Sequence, residues 1–430
     1  MHLSLDSYYI TKNILKPNLY ASFLELRRRN KKRDFISVFI IFTVAMSIFE
    51  ANLAATVNTM NEKRIIYDDG ADIVLKERFP IGKKMDVNLK KAVRYYEEPD
   101  YGKYEALKAS GLLTTKVMKA KAMLVANNSA TTKLDLMAIH TKEFGEVANS
   151  IGYLNGEHYF NYLNELAKVR DGALISKNLA ENYDIAIGDR LTYARDRELD
   201  GNGEKGRMYN TVTVVGIIDS FPGYSKYSYE YDANMKLKEV TNNLIVTNYA
   251  SEVNFFGIYP YEVWINTANA LAFNKGEAVE FINKYLADND ISTEYINSAY
   301  SDIAKKKSES MVLITNGLFS LGFMVSVITG MMGMLIYWIT SFKEREMIFS
   351  VYRAMGMSKG GVSGIIINEQ IFASVTAWLF GGGIGVIVPL PSLEHITALM
   401  EEMPVLGHQT VPVGGPVKRL HVRVQFRTLA

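Results

Sequence analysis

The sequence predicts an α+β extracytoplasmic domain inserted between transmembrane α-helices of a multi-pass membrane protein, and three observations point there. Residues 35–57 are apolar except for Glu50, two Thr, two Ser and Asn52. Residues 310–342 form a run of 33 with no formal charge. Between them lie 252 mixed residues, 58–309, patterned as strands and helices. A helical span needs about 20 apolar residues to cross ~30 Å of hydrocarbon, and helices this long and apolar are rare in soluble cores.

Segment 1–34 carries Arg27, Arg28, Arg29, Lys31, Lys32 and Arg33 just before the first span. Basic residues collect on the cytoplasmic side of spans, so 1–34 is a cytoplasmic basic segment, helix 35–57 exits, and 58–309 lies outside. The first run starts too late, and is too long, for a cleavable signal. At about 1.5 Å per residue the run 310–342 would reach roughly 50 Å, so part of it should stand outside as a stalk before the second span. Lys343, Arg345, Arg353 and Lys359 mark 343–360 as a short cytoplasmic loop. A third span, 361–388, is interrupted by Glu369 and closed by Pro389 and Pro391. Lys305, Lys306 and Lys307 sit on the outer side against the trend, which large translocated domains obey weakly.

Within 58–309, residues 71–75 and 209–218 read as strands, the latter alternating at Thr211, Val212, Thr213 and Val214. Ser176 is expected to cap a short helix running to about Tyr183, its hydroxyl accepting a free backbone N–H of the first turn. Gly188-Asp189 turns the chain into a strand through Leu191 and Tyr193. Val279, Ile282 and Leu286 repeat at helical spacing, with Asn289 and Asp290 as the stop. From about Ala299 a helix is expected to run straight into the second span.

Composition excludes several chemistries. With 48 Lys+Arg against 46 Asp+Glu the net charge is +2, which gives no bulk attraction to nucleic acid. The absence of cysteine rules out disulfides, cysteine-ligated zinc, iron–sulfur centres and thiol catalysis. Gly201, Gly203 and Gly206 spell G-x-G-x-x-G, but a strand follows at Met208 where a nucleotide site needs a helix, so a polar hairpin turn is expected. Residues 196–207 faintly resemble a calcium loop, yet Arg207 stands where a bidentate Glu is required. His140 and His158 lack metal-ligand spacing. No nucleophile elbow, H-E-x-x-H pair or phosphate loop occurs. The reading is a non-catalytic subunit with no cofactor and no metal.

Small residues recur at spacing four in each span: Ser47, Ala51 and Ala55; Gly322, Ser326 and Gly330; Ala373, Ala377, Gly381 and Gly385. Such stripes let helix backbones approach in lipid, and three together favour a packed bundle. Glu50 and Glu369 lie inside apolar runs, where a carboxylate costs about 2.5–3.5 kcal/mol at mid-helix. Hydrogen bonding within the bundle is favoured over an ion path, since no partner base is evident.

The order of basic segment, span, large outside domain, span, short loop and span resembles the FtsX-like permease family of ABC transporters, with an outside domain similar to the MacB-type periplasmic core. Three stretches carry the resemblance. The first is Gly70-Ala71-Asp72-Ile73-Val74-Leu75. The second runs Ile175-Ser176, Leu179-Ala180, Ile187-Gly188-Asp189 and Leu191, then Val215-Gly216-Ile217 and Phe221-Pro222-Gly223. The third is Arg345-Glu346 followed by Tyr352-Arg353-Ala354-Met355-Gly356-Met357-Ser358-Lys359, leading to Glu369. The resemblance covers roughly residues 20–388; the gap between Glu346 and Arg353-Ala354 is longer than in many relatives.

The resemblance implies a bacterial cell-membrane protein whose cytoplasmic loop is a coupling helix docking on a separate ABC ATPase subunit. It further implies a homodimer or a second permease half, and membrane lipids as surroundings. Ile348, Val351, Tyr352 and Met355 are expected on one apolar face, with Arg345, Glu346 and Arg353 offering charge and Gly356 ending the helix at positive φ. In the family such motion serves lipoprotein extraction, export of peptides or drugs, or control of wall hydrolases. The alternative is a membrane-anchored receptor with an outside ligand domain. That class needs a cytoplasmic signalling module, and about 18 residues between the second and third spans are too few. A membrane enzyme lacks any catalytic constellation.

Residues 389–430 form an atypical tail. They hold five of the ten prolines, and no Asn follows Asn368 and no Tyr follows Tyr352. Family members carry a fourth span here, so a truncated or frame-shifted end after about Val388 is expected.

Overall fold

The computed structural model describes residues 31–86, 91–126, 129–150, 153–154, 157–198, 205–231, 236–267 and 275–387. The chain opens with α1 (Lys31–Asp69), β1 (Ile73–Glu77), the hairpin of β2 (Ile81–Asp86) and β3 (Lys91–Tyr96), α2 (Gly102–Glu105), β4 (Leu113–Ala126) and β5 (Ser129–Ile139). It continues through α3 (Thr141–Val147), β6 (Tyr153–Leu154), β7 (Glu157–His158), α4 (Tyr159–Lys168), β8 (Gly172–Ser176), α5 (Lys177–Tyr183), β9 (Arg190–Glu198) and β10 (Lys205–Ile218). Next come β11 (Tyr227–Tyr231), β12 (Leu237–Thr241), β13 (Leu244–Asn248), α6 (Tyr249–Phe256), β14 (Glu262–Asn266), α7 (Lys275–Asp288) and β15 (Thr293–Ser298). It ends on α8 (Ala299–Ser308), α9 (Ser310–Glu344), α10 (Glu346–Ala354) and α11 (Lys359–Ile387).

Nine strands make one sheet in the order β15-β1-β14-β4-β5-β13-β8-β10-β9. Most neighbours are antiparallel, while β8–β10 and β5–β13 are parallel. The edge strand β9 returns to the far end of β4 through Met123↔Ala194 and Leu124↔Tyr193. Six strands, β4-β5-β13-β8-β10-β9, thereby close into a ring, which covers the β9 edge and leaves β15 as the remaining one. Successive strand residues point to opposite faces, and here both faces are covered. Ile73, Leu75, Ala173, Ile175, Ile245, Val263 and Ile265 enter one core, with Ile282 and Leu286 of α7. Val74, Leu174, Val246 and Trp264 enter the other, with Phe144 of α3 and Tyr159, Leu163 and Leu166 of α4. Double burial is why these strands read as unbroken apolar runs instead of alternating ones.

Three expectations are refined and a fourth is met. The first helix does not stop at 57 but continues to Asp69, so 58–69 is helical and not part of the mixed domain. Helix α5 follows Ser176 as expected, yet Ser176 makes no cap hydrogen bond; its Oγ accepts the Leu244 backbone N–H at 3.0 Å, fastening β8 to β13. The helix from Ala299 does not run straight into the second span, because Glu309 is extended (φ −64°, ψ 136°) and separates α8 from α9. Strand β9 pairs with β10 from Thr213↔Arg190 to Lys205↔Glu198, the hairpin expected around the glycines; Gly201 and Gly203 lie outside the described residues, as does the tail from 388 onward.

Candidate functional site

Two described helices, Val38–Asp69 and Ser310–Glu344, are long and apolar enough to cross a membrane. Helix α1 lies between α9 and α11. On one side Gly322, Ser326 and Gly330 of α9 face it: Cβ atoms built at Gly322 and Gly330 would each lie 3.1 Å from Glu50 Oε1 and Thr43 Oγ1. Ser326 Oγ donates to Glu50 Oε2 at 3.1 Å, so the carboxyl inside the apolar run is held across the helix pair. On the other side Cβ atoms at Gly381 and Gly385 of α11 would come within 2.8 Å of the Ile41 and Ala45 carbonyl oxygens. Ala373, Ala377 and Glu369 belong to α11; their side chains are outside the described set.

The turn between α9 and α11 is built around α10. Its exposed apolar residues are Met347 (80 %), Val351 (52 %) and Met355 (78 %), spaced i, i+4, i+8 along one face. Ile348 and Tyr352 are half-buried, and Glu346 and Arg353 are exposed. Arg345 is only 4 % exposed, turned inward where the sequence reading had it offering charge outward. An open depression between the end of α9 and α10 is lined by Phe342, Lys343, Glu346, Phe349, Ser350 and Arg353, with Phe342 and Phe349 in edge contact at 6.3 Å. Gly356 follows at φ +89°. Met347 escaped the sequence reading although its spacing to Val351 and Met355 was there to see, because Ile348 and Tyr352 compete for the same stripe.

At the opposite end, α1 and α8 join the domain through adjacent strands. β1 follows α1 and β15 precedes α8, and they pair antiparallel with Ile73 opposite Ser298. Asp72 ties the joint: Oδ2 accepts from Thr267 N at 2.8 Å and Thr267 Oγ1 at 2.7 Å, Oδ1 accepts from Asn149 Nδ2 at 3.0 Å, and its carbonyl accepts from Ala299 N at 3.0 Å. The Trp264 indole is wedged against Gly70 and Gly223, both at positive φ, and Gly223 N donates to the Tyr67 carbonyl at 2.9 Å. Trp264 Nε1 in turn donates to Glu262 Oε2 at 2.8 Å. Burial pushes the Glu262 carboxyl up, but Lys119 at 3.3 Å together with the Tyr295 and Trp264 donors outweighs it and holds the group below the usual glutamate range.

The lysines expected to run against the basic-inside trend are paired. Lys305 meets Asp302 at 3.0 Å, Lys306 meets Glu309 at 2.8 Å, and Lys307 reaches Glu62 of α1 at 2.7 Å, clasping α8 to α1. All three occupy the last turn of α8, where a cation also complements the helix dipole.

The histidines serve the fold. His140 precedes α3 and its ring lies tilted against Tyr249, centroids 4.6 Å apart, while His158 Nδ1 accepts the Phe160 N–H at the start of α4. Arg207 pairs with Asp196 at 3.1 Å, so the two ends of the supposed calcium loop neutralise each other. Among the described residues no group of three His, Asp or Glu could hold a metal.

The chain matches no family model and no curated protein. Among solved structures it is similar to the periplasmic region of MacB from Actinobacillus actinomycetemcomitans, at 10 % identity and a TM-score of 0.33, over 57 % of this chain and 96 % of that one. It is also similar to a domain of a "putative Permease protein" from Porphyromonas gingivalis, at 11 % identity and a TM-score of 0.27, over 54 % and 88 %. Neither likeness transfers a residue role to this chain.

Proposed function

We propose that the chain is a permease subunit of an ABC transporter, multi-pass in a bacterial cell membrane, with its β-rich domain outside. Helix α10 docks on a cytoplasmic ATPase partner, and α9 and α1 carry the partner's motion to the outside domain. The observation that supports this best is the exposed stripe Met347, Val351 and Met355 on a nine-residue helix, flanked by Glu346 and Arg353. An apolar face in so short a loop needs a covering surface. The joint at Asp72 and Trp264 supports the mechanical half of the reading, since it binds α1 and α8, the helix that leads to α9, to one sheet. The sequence resemblance to FtsX-like permeases supports the partner class, and with it a homodimer or a second permease half in the lipid bilayer.

The test is co-purification of the tagged protein from its own membranes with an ABC ATPase. The pair should be lost in Met347→Glu with Met355→Glu and weakened in Arg353→Glu; Arg345 is unsuited because it is buried. An ATPase that stays bound to the double variant overturns the docking site. Labelling that places residues 58–309 on the same face of the membrane as Arg353 overturns the whole reading.

A further inference from the structure

Behind the seam where β9 closes onto β4, several charged and polar side chains are withdrawn from solvent. Glu252 of α6 is 0 % exposed and the Arg195 side chain of β9 is 8 % exposed. Glu252 Oε1 accepts from the Tyr193 hydroxyl, and from Thr247 Oγ1 at 3.1 Å. Asn210 Nδ2 donates to Tyr193 Oη at 3.0 Å. The Arg195 guanidinium lies between the rings of Phe256 and Tyr259, 4.9 and 4.6 Å from their centroids. Three buried atoms have no hydrogen-bond partner among the described residues: Arg195 Nη1, Glu252 Oε2 and Asn210 Oδ1. Nη1 and Oε2 form an ion pair at 3.6 Å, too long for a direct hydrogen bond.

Leaving such atoms without a hydrogen bond in a buried site is costly, and their chemistry restricts what can bond them. They comprise one cationic donor and two acceptors. An anion would satisfy Nη1 but be repelled by the carboxylate and the amide oxygen. A metal cation would satisfy the oxygens but stand beside the guanidinium. A neutral hydroxyl compound with two O–H donors and a free lone pair matches all three. We propose that this cluster is a binding site for one water-sized neutral ligand, filled in the folded protein by a single water that accepts from Arg195 Nη1 and donates to Glu252 Oε2 and Asn210 Oδ1. Set off the line between Nη1 and Oε2, a water reaches both with bonds of about 2.8 Å, and about three polar partners is the usual complement of a buried water. The water fastens α6, β9 and β10 to one another at the point where the ring of strands closes.

The test has two parts. A map of the full chain sharp enough to show water should hold a peak about 2.6–3.2 Å from all three atoms; a direct Nη1–Oε2 pair with no peak overturns the site. A double-mutant cycle then joins Arg195→Met and Asn210→Leu, two side chains with no hydrogen bond to each other. If they share a water, the second substitution should change the unfolding equilibrium at least about threefold less in the background of the first than in the native chain. Strictly additive effects overturn the proposal even where the map is too coarse to show water.

Discussion

Gly70 and Trp264 are packed so tightly that a Cβ at position 70 would come within 2.2 Å of the indole Cη2. Gly70 also stands at φ +86°, a conformation that side chains resist. Gly70→Ala should therefore combine backbone strain with overpacking and cost about 3 kcal/mol. Gly188 offers the control: its φ is +100° but nothing lies within 4 Å of its built Cβ, so Gly188→Ala should cost only about 1 kcal/mol. Denaturant unfolding of both variants reads the difference, and equal costs would show that the Trp264 contact yields freely.

Asp72→Ala removes the acceptor for the buried Thr267 N–H and hydroxyl and for Asn149. A loss of about 3 kcal/mol is expected, since hydrogen bonds to a charged acceptor are among the stronger ones. Hydrogen exchange at the Thr267 amide should accelerate with it. An unchanged exchange rate would mean the joint is held without Asp72.

Two buried glutamates should give opposite pH profiles. The lowered Glu262 contributes stability that is present above the ordinary glutamate pKa of about 4.3 and lost as pH falls through its folded value. Burial raises Glu252 against the lowering effects of Tyr193 and Arg195. Its contribution is therefore complete below about pH 4.3 and lost as pH rises through the folded value. Glu262→Gln should flatten a rise of stability with pH, and Glu252→Gln should flatten a fall. Stability measured from about pH 2 to 8 for each variant checks both signs, Glu262 below about pH 4.3 and Glu252 above it.

Helix α1 can be tied covalently to α9. A Cβ built at Gly330 lies 3.6 Å from Thr43 Cβ, within the Cβ separation that disulfides use. The chain has no cysteine, so Thr43→Cys with Gly330→Cys is a clean pair. It should cross-link under mild oxidation, seen as a mobility change reversed by reductant; failure to cross-link would contradict this helix register.

The parts of this architecture that sequence could show are those specified by neighbours in the chain. Gly70-Ala71-Asp72 marked the start of the domain because three adjacent residues each do a local job: a tight approach, a fully buried methyl and a bracket of acceptors. The helical spacing of Val279, Ile282 and Leu286 became α7 for the same reason. What sequence could not show depends on distant partners. Ser176 looked like a cap, but its hydroxyl is taken by Leu244, 68 positions away. Glu50 had no visible partner because Ser326 is 276 positions away. The return of β9 to β4 and the parallel pairing of β8 with β10 leave no local trace. At α10, Arg345 carried no mark that it would turn inward while Arg353 stays exposed.

The single extended residue at Glu309 gives the two rods that leave the domain unequal character. From Lys31 to Asp69 the first is one continuous helix, about 58 Å long at 1.5 Å per residue, and it behaves as a strut. The second is articulated at Glu309, just beyond the Lys307–Glu62 clasp. Under the coupling proposed above, the strut would carry the load and the bend at Glu309 is where the second rod can change its angle without breaking the sheet on which both are mounted.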